Sequence, residues 1–104
     1  MRCITVLYPH ANNEVDFEHY RKVHAPLIVD VLGKALHRLE VRRGVSSPDG
    51  SQPPMYAIVV NIWIADDELY ETKIAARQQE LIDDVKNFTK VMPTMQIDEV
   101  FFSS

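Results

Sequence analysis

Cysteine, glycine and clustered positive charge are scarce in this sequence of 104 residues, and each scarcity excludes a class of function. A single cysteine, Cys3, excludes an intrachain disulfide, so a reducing compartment is the simplest expectation and the chain is read as cytoplasmic. Its three glycines stand apart, none of them in a run that could cradle a phosphate, and no serine sits in a nucleophile elbow. Nucleotide cofactors and acyl-enzyme chemistry therefore lack their usual signs. Binding to nucleic acid requires clustered Lys and Arg, whereas the formal charge here is -4 and the pair Arg42-Arg43 reads as a solvated strand end. Long apolar runs are missing too. The first, from Cys3, is closed by Pro9, too early for a signal-peptide core or a membrane span. Metal is not expected either, because His19 and His24 are five apart, which on an α-helix turns them different ways, and no other set has the one-turn spacing of a zinc site.

What is present is enough for one folded unit. At 46% hydrophobic, residues 1–104 read as a single domain able to bury roughly 60–70% of its unfolded surface. Cys3 to Tyr8 is a strand by composition. Asp16 is a candidate N-cap for a helix in which Phe17, Tyr20, His24, Leu27 and Val31 recur at spacings of three and four, with Glu18, Arg21 and Lys22 to the sides. Pro26 predicts a kink or break near His24, since a proline disfavours the α conformation in the residue before it. Leu36 to Val45 alternates as an edge strand with one wet face, and Ser46 to Pro54 is a tip loop built around Pro-Asp-Gly. Met55 to Ile64 is apolar on both parities, the mark of a central strand. Asp66 and Asp67 open a second helix with Tyr70, Ile74, Leu81, Val85 and Phe88 inward and an interruption near Arg77 and Gln78. The acid pairs Asp66-Asp67 and Asp83-Asp84 are read as solvated. A last strand covers Thr94 to Phe102, with Met95, Ile97 and Phe101 on one face.

The order strand, helix, strand, strand, helix, strand is the split βαβ arrangement of α+β, ferredoxin-like domains. Right-handed crossovers put both helical regions on one face of a four-stranded antiparallel sheet. Because the first and third strands are apolar on both parities, the other face is expected to be an apolar patch that a second copy covers about a two-fold axis.

Along nearly its whole length the chain resembles the EthD (ethyl tert-butyl ether degradation) family, within the dimeric α+β barrel superfamily. The resemblance lies in Val6-Leu7-Tyr8-Pro9, in Phe17 with Tyr20, His24, Pro26 and Leu27, in Gly33 through Leu36, in the proline loop before Tyr56, and in Asn87-Phe88-Thr89. It implies a ferredoxin-like protomer, a homodimer packed sheet to sheet, and a cavity between helices and sheet. Superfamily members include cofactor-independent oxygenases, isomerases and polyketide cyclases, and some bind haem. Where relatives carry histidines, this chain has Asn61 and a position near Arg77.

The candidate catalytic residues are His24, able to exchange protons at neutral pH, and Tyr20 one turn earlier, read as core with its hydroxyl at a rim. Candidate substrate-binding residues are Phe17, Asn61, Trp63 and Phe88. Burying the Asn61 amide in mid-strand is costly unless a protein group or a ligand bonds it, and Trp63 shares its face. The expected function is binding of a small apolar or aromatic compound in the cavity, with cofactor-independent acid–base or oxidative chemistry at His24, as in an oxygenase, isomerase, cyclase or decarboxylase. The alternative is a non-catalytic dimeric accessory or ligand-binding domain in which His24 is a satisfied core residue. Haem held by a histidine is a third reading.

Overall fold

The computed structural model describes residues 1–10 and 14–104; positions 11–13 of the expected loop before Asp16 lie outside the described residues. Four strands, β1 (Arg2–Pro9), β2 (Leu36–Arg43), β3 (Tyr56–Ile64) and β4 (Thr94–Glu99), form one antiparallel sheet in the order β2-β3-β1-β4. The topology is ferredoxin-like, with two helical regions packed on one face of the sheet. The two strands whose residues are apolar on both parities are the central ones, as their sequences require. Ile4, Val6 and Tyr8 of β1 lie beside Ile58, Val60 and Ile62 of β3 in the core under the helices.

The first helical region is continuous through Pro26. It runs as α1 (Phe17–His19), a π-helical stretch (Tyr20–His24) and α2 (Ala25–Leu32). Asp16 caps it, its Oδ1 accepting the backbone N–H of His19 at 3.0 Å. The expected break is absent, since Ala25 is in the right-handed helical region at φ -61° and ψ -47°. Its backbone N–H bonds the Tyr20 carbonyl five residues back, so the ladder has already slipped by one residue where Pro26 could neither donate nor fit its ring in a regular α turn. The slip also moves the apolar face. Ile28, Val31 and Leu32 are buried, while Leu27 of the predicted stripe is only partly so.

Gly33, at φ +50°, ends α2 in a conformation that side chains with a Cβ rarely adopt. A Cβ at Gly44 would collide with the carbonyl oxygen of Tyr56. That close approach lets Gly44 donate its N–H to Ala57 at 2.9 Å just beyond β2, which ends at Arg43 rather than Val45.

The second helix, α3 (Asp67–Val85), is capped by Asp66, whose Oδ1 accepts from Leu69 N. Phe88 is buried but lies past its end. β4 stops at Glu99, so Phe101 and Phe102 are not strand residues; they are 96% and 81% exposed.

The open face corrects one expectation outright. It is not an apolar patch. Cys3, Leu7, Val59 and Trp63 share it with a polar chain that crosses all four strands. Asp98 accepts from the Thr5 hydroxyl, Asn61 Nδ2 donates to Thr5 Oγ1 at 3.1 Å, Arg42 donates to Asn61 Oδ1 at 2.7 Å, and Glu40 takes both Arg42 and Arg38. The Arg38 guanidinium lies 5.0 Å from the centre of the Trp63 ring. Pairing register explains the result, because the wet parity of each edge strand and the few polar residues of the central ones all align on this side.

Candidate functional site

Between the helices and the sheet lies a cavity of about 340 Å³. Its floor is Ile4, Val6 and Tyr8 of β1 with Val60 and Ile62 of β3. Tyr20, His24, Ile28 and Leu32 come from the first helical region, and Tyr70, Ile74, Leu81 and Val85 from α3. It opens past β4, where Met92, Met95 and Ile97 are more than half exposed. Four of the five residues predicted for the inward stripe of α3 therefore line the cavity; the fifth, Phe88, lies past the helix end.

His24 is buried, at 4% exposure, and lines this cavity. The group that holds it was not anticipated. Asp84, predicted to be solvated, is buried, and its Oδ2 lies 2.9 Å from His24 Nδ1. Its Oδ1 lies 2.8 Å from His19 Nε2 and accepts from Asn87 Nδ2 at 2.9 Å. One carboxylate thus joins two histidines expected to diverge. They converge because residues five apart fall on one face when the helix widens to a π turn between them. A signal for Asp84 was present, since it follows Leu81 by three on the inward face of α3.

A carboxylate at Nδ1 fixes that nitrogen as the proton carrier, so Nε2 keeps its lone pair. Nε2 has no hydrogen-bond partner among the described residues. Burial lowers the His24 pKa, and the hydrogen bond and charge of Asp84 only partly oppose this. Burial works the other way on Asp84, but bonds from Asn87, His19 and His24 outweigh it and hold its pKa below the ordinary carboxylate value. The resting pair is a neutral imidazole beside an anion.

This arrangement fixes how stability depends on pH. A histidine whose folded pKa lies below its unfolded value of about 6.5 disfavours the protonated state, so its contribution is intact above that value and falls as pH drops through the window below it. Asp84 loses its contribution later, as pH falls below about 4. Urea midpoints measured from pH 8 to 3 are expected to be level down to about 7, to decline below 6.5, and to drop again below 4. His24→Gln should flatten the first decline.

The remaining candidates divide between places. Tyr20 lines the cavity with its ring 5.0 Å from that of His24; its hydroxyl is not at a rim but buried, the one such side-chain polar atom without a partner among the described residues. Phe88 backs the site without lining it, packing against Tyr8, Tyr20 and His24 at centroid distances of 5.3, 4.9 and 4.8 Å. Phe17 sits elsewhere, under the Arg43 guanidinium at 3.9 Å. Asn61 and Trp63 are on the open face, so a ligand in the cavity cannot touch them, and the Asn61 amide is satisfied by Thr5 and Arg42. Their parity on β3 decided this, being opposite to that of Val60 and Ile62. Tyr8, not singled out beforehand, is in the wall, and burial, then the Asp84 charge, raises its pKa. Among the described residues no group of three or more His, Cys, Asp and Glu is placed to hold a metal ion, and no helix is long and apolar enough to cross a membrane.

No family model and no curated protein matches the sequence. Solved structures do match. An EthD-like protein from Ralstonia eutropha JMP134 superposes with a TM-score of 0.90 at 23% identity, over 99% of this chain and 94% of that one. An EthD family protein from Bacillus halodurans C-125 gives 0.74 at 24% identity, over 95% and 97%. HapK from Hahella chejuensis gives 0.62 at 18% identity, over 100% and 96%. Strand order, helix placement and near-complete mutual coverage agree, and the chain has the fold of the EthD-like proteins.

Proposed function

We propose that this chain is an EthD family protein whose cavity binds a small, mainly apolar or aromatic compound beside His24, which acts as a general base. The observation that carries this reading is the orientation of one ring. His24 turns Nδ1 to a buried anion and leaves Nε2 without a partner among the described residues, in a residue that lines a mainly apolar cavity. A proton accepted at Nε2 would create an imidazolium that Asp84 stabilises without moving. The volume is at the lower end of small-molecule sites and suits one or two rings.

Titration with tetralin, followed through the imidazole proton resonances, tests the cavity. His24 should shift while the exposed His37 does not. No change at His24 at millimolar tetralin would overturn the reading.

The protein is further proposed to be a homodimer that buries the open sheet face. Support comes from the polar chain across that face, whose members already bond one another and so are cheaper to desolvate than free polar groups. Exposed Phe101 and Phe102 next to the sheet add apolar surface for a partner. Sedimentation at micromolar concentration should give twice the 12.0 kDa of one chain. A monomer would remove this part of the proposal and leave the cavity untouched.

A second reading, a ligand-binding or accessory domain without catalysis, is favoured by the same Asp84 bonds, since they also clamp the end of α3 to the first helical region. Substitution at His24 separates the two readings.

A further inference from the structure

Two apolar surfaces of this chain stand open to solvent on opposite sides of the sheet. One is the mouth of the cavity. Met95 and Ile97 of β4 pair with Val6 and Ile4 and so face the helices, yet they and Met92 are more than half exposed. Ile82 of α3 lines the same cavity and is exposed as well. The other surface is the C-terminal segment, in which Phe101 and Phe102 are almost wholly exposed. The Val100 N–H still donates to the Met1 carbonyl at 3.1 Å, after which Ser103 lies beside Arg38 and Trp63 of the open face. The segment has therefore turned to the side of the sheet away from its own cavity, and its rings do not cover the mouth of their own chain.

We propose that a second copy brings these surfaces together: residues 100–104 of each protomer reach round the β4 edge of its partner and lay Phe101 and Phe102 on Ile82, Met92, Met95 and Ile97, closing the partner's cavity. The inference rests on the homodimer reading above and gives the dimer a part in the site, since each cavity lacks one wall until a partner supplies it. The segment is long enough. Sheets packed face to face stand about 10 Å apart, and a five-residue segment extends up to about 17 Å. Its chemistry suits the mouth, because methionine side chains are unbranched and polarisable and pack well against the edges of aromatic rings. Two-fold symmetry makes the contact reciprocal. A chain that carries both the rings and the opening then forms a closed pair, with neither surface left over. A buried aromatic ring removes about 150–250 Å² from water, so the four rings of a dimer and the rims they cover exceed the roughly 1,000 Å² that a stable interface needs.

The test follows the methionine methyl resonances of protein labelled at those methyls, beside sedimentation of the same samples. In wild type the rings of a partner should move the Met92 and Met95 methyls upfield. The double variant Phe101→Ser, Phe102→Ser should fold normally, because both rings are exposed in the single chain. It should return those two resonances to ordinary positions, leave Met55 unmoved, and raise the dimer Kd about 30-fold, the scale of an aromatic hot spot. Labelled variant refolded from urea with a tenfold excess of unlabelled wild type should regain the upfield shift, since its mouth is then covered by a wild-type segment. A dimer whose Met92 and Met95 resonances are the same in wild type and variant overturns this inference while the homodimer reading stands. Resonances that move in the variant and are not restored by the wild-type partner put the segment on its own mouth and overturn the reciprocal closure. A monomer in sedimentation removes the homodimer reading and this inference with it.

Discussion

Asp84→Ala is expected to cost about 3 kcal/mol of folding stability, about a fifth or more of what a domain of this size has. The carboxylate accepts from His24, His19 and Asn87 at 2.8 to 2.9 Å. Bonds to a charged group contribute about 1.5–3 kcal/mol each when made, though three on one centre do not add. Its removal leaves the buried His24 Nδ1 without an acceptor and cuts the tie between α3 and the first helical region. A melting temperature about 15 °C lower by calorimetry is the expected result. A loss under about 1 kcal/mol would show that the bridge is not maintained in solution. Asp84→Asn gives the finer test. The amide preserves shape, so most stability should remain, but it can present its N–H₂ to Nδ1 and reverse the imidazole tautomer, moving the proton to Nε2. Chemistry that depends on a basic Nε2 would then fail in a protein that still folds.

His24→Gln is expected to lower proton-transfer turnover by about 10²- to 10⁴-fold, the usual contribution of a positioned general base. Glutamine can still donate to Asp84, so the bridge is partly kept and the melting temperature should fall far less than in Asp84→Ala. The measurement is deuterium exchange from D2O into 2-tetralone, used as a carbon-acid probe of the general base, with binding followed separately. Affinity within a few-fold of wild type and lost exchange assigns His24 to the chemical step. Exchange that persists makes His24 a structural clamp. In wild type, the activity should extend below pH 6.5 before protonation of Nε2 ends it, because burial holds this histidine's pKa down.

His24 itself was legible in the sequence, since it shares a stripe with Tyr20 and Val31, and all three are buried. Its partner was hidden by a convention of reading. Asp83-Asp84 looks like a solvated acid pair, yet adjacent helical residues point about 100° apart, and the step of three from Leu81 carries the second of them to the buried side. Asn61 and Trp63 fall outside the cavity for the opposite reason. Their strand was correctly placed at the centre of the sheet, but two apolar parities do not say which one lies under the helices.

Local chemistry alone determined the order and type of elements, the caps at Asp16 and Asp66, the central and edge strands, and hence the ferredoxin-like topology. These rest on periodicity, N-cap preference and crossover handedness, which act over a few neighbouring residues or follow from chirality. Only the tertiary structure decided that the helix passes Pro26 through a π turn, that His19 and His24 meet on one carboxylate sixty residues away, and that polar side chains from four strands align across the open face. Those outcomes depend on a one-residue slip in a backbone ladder and on strand register, and neither leaves a mark in the spacing of apolar residues along the chain.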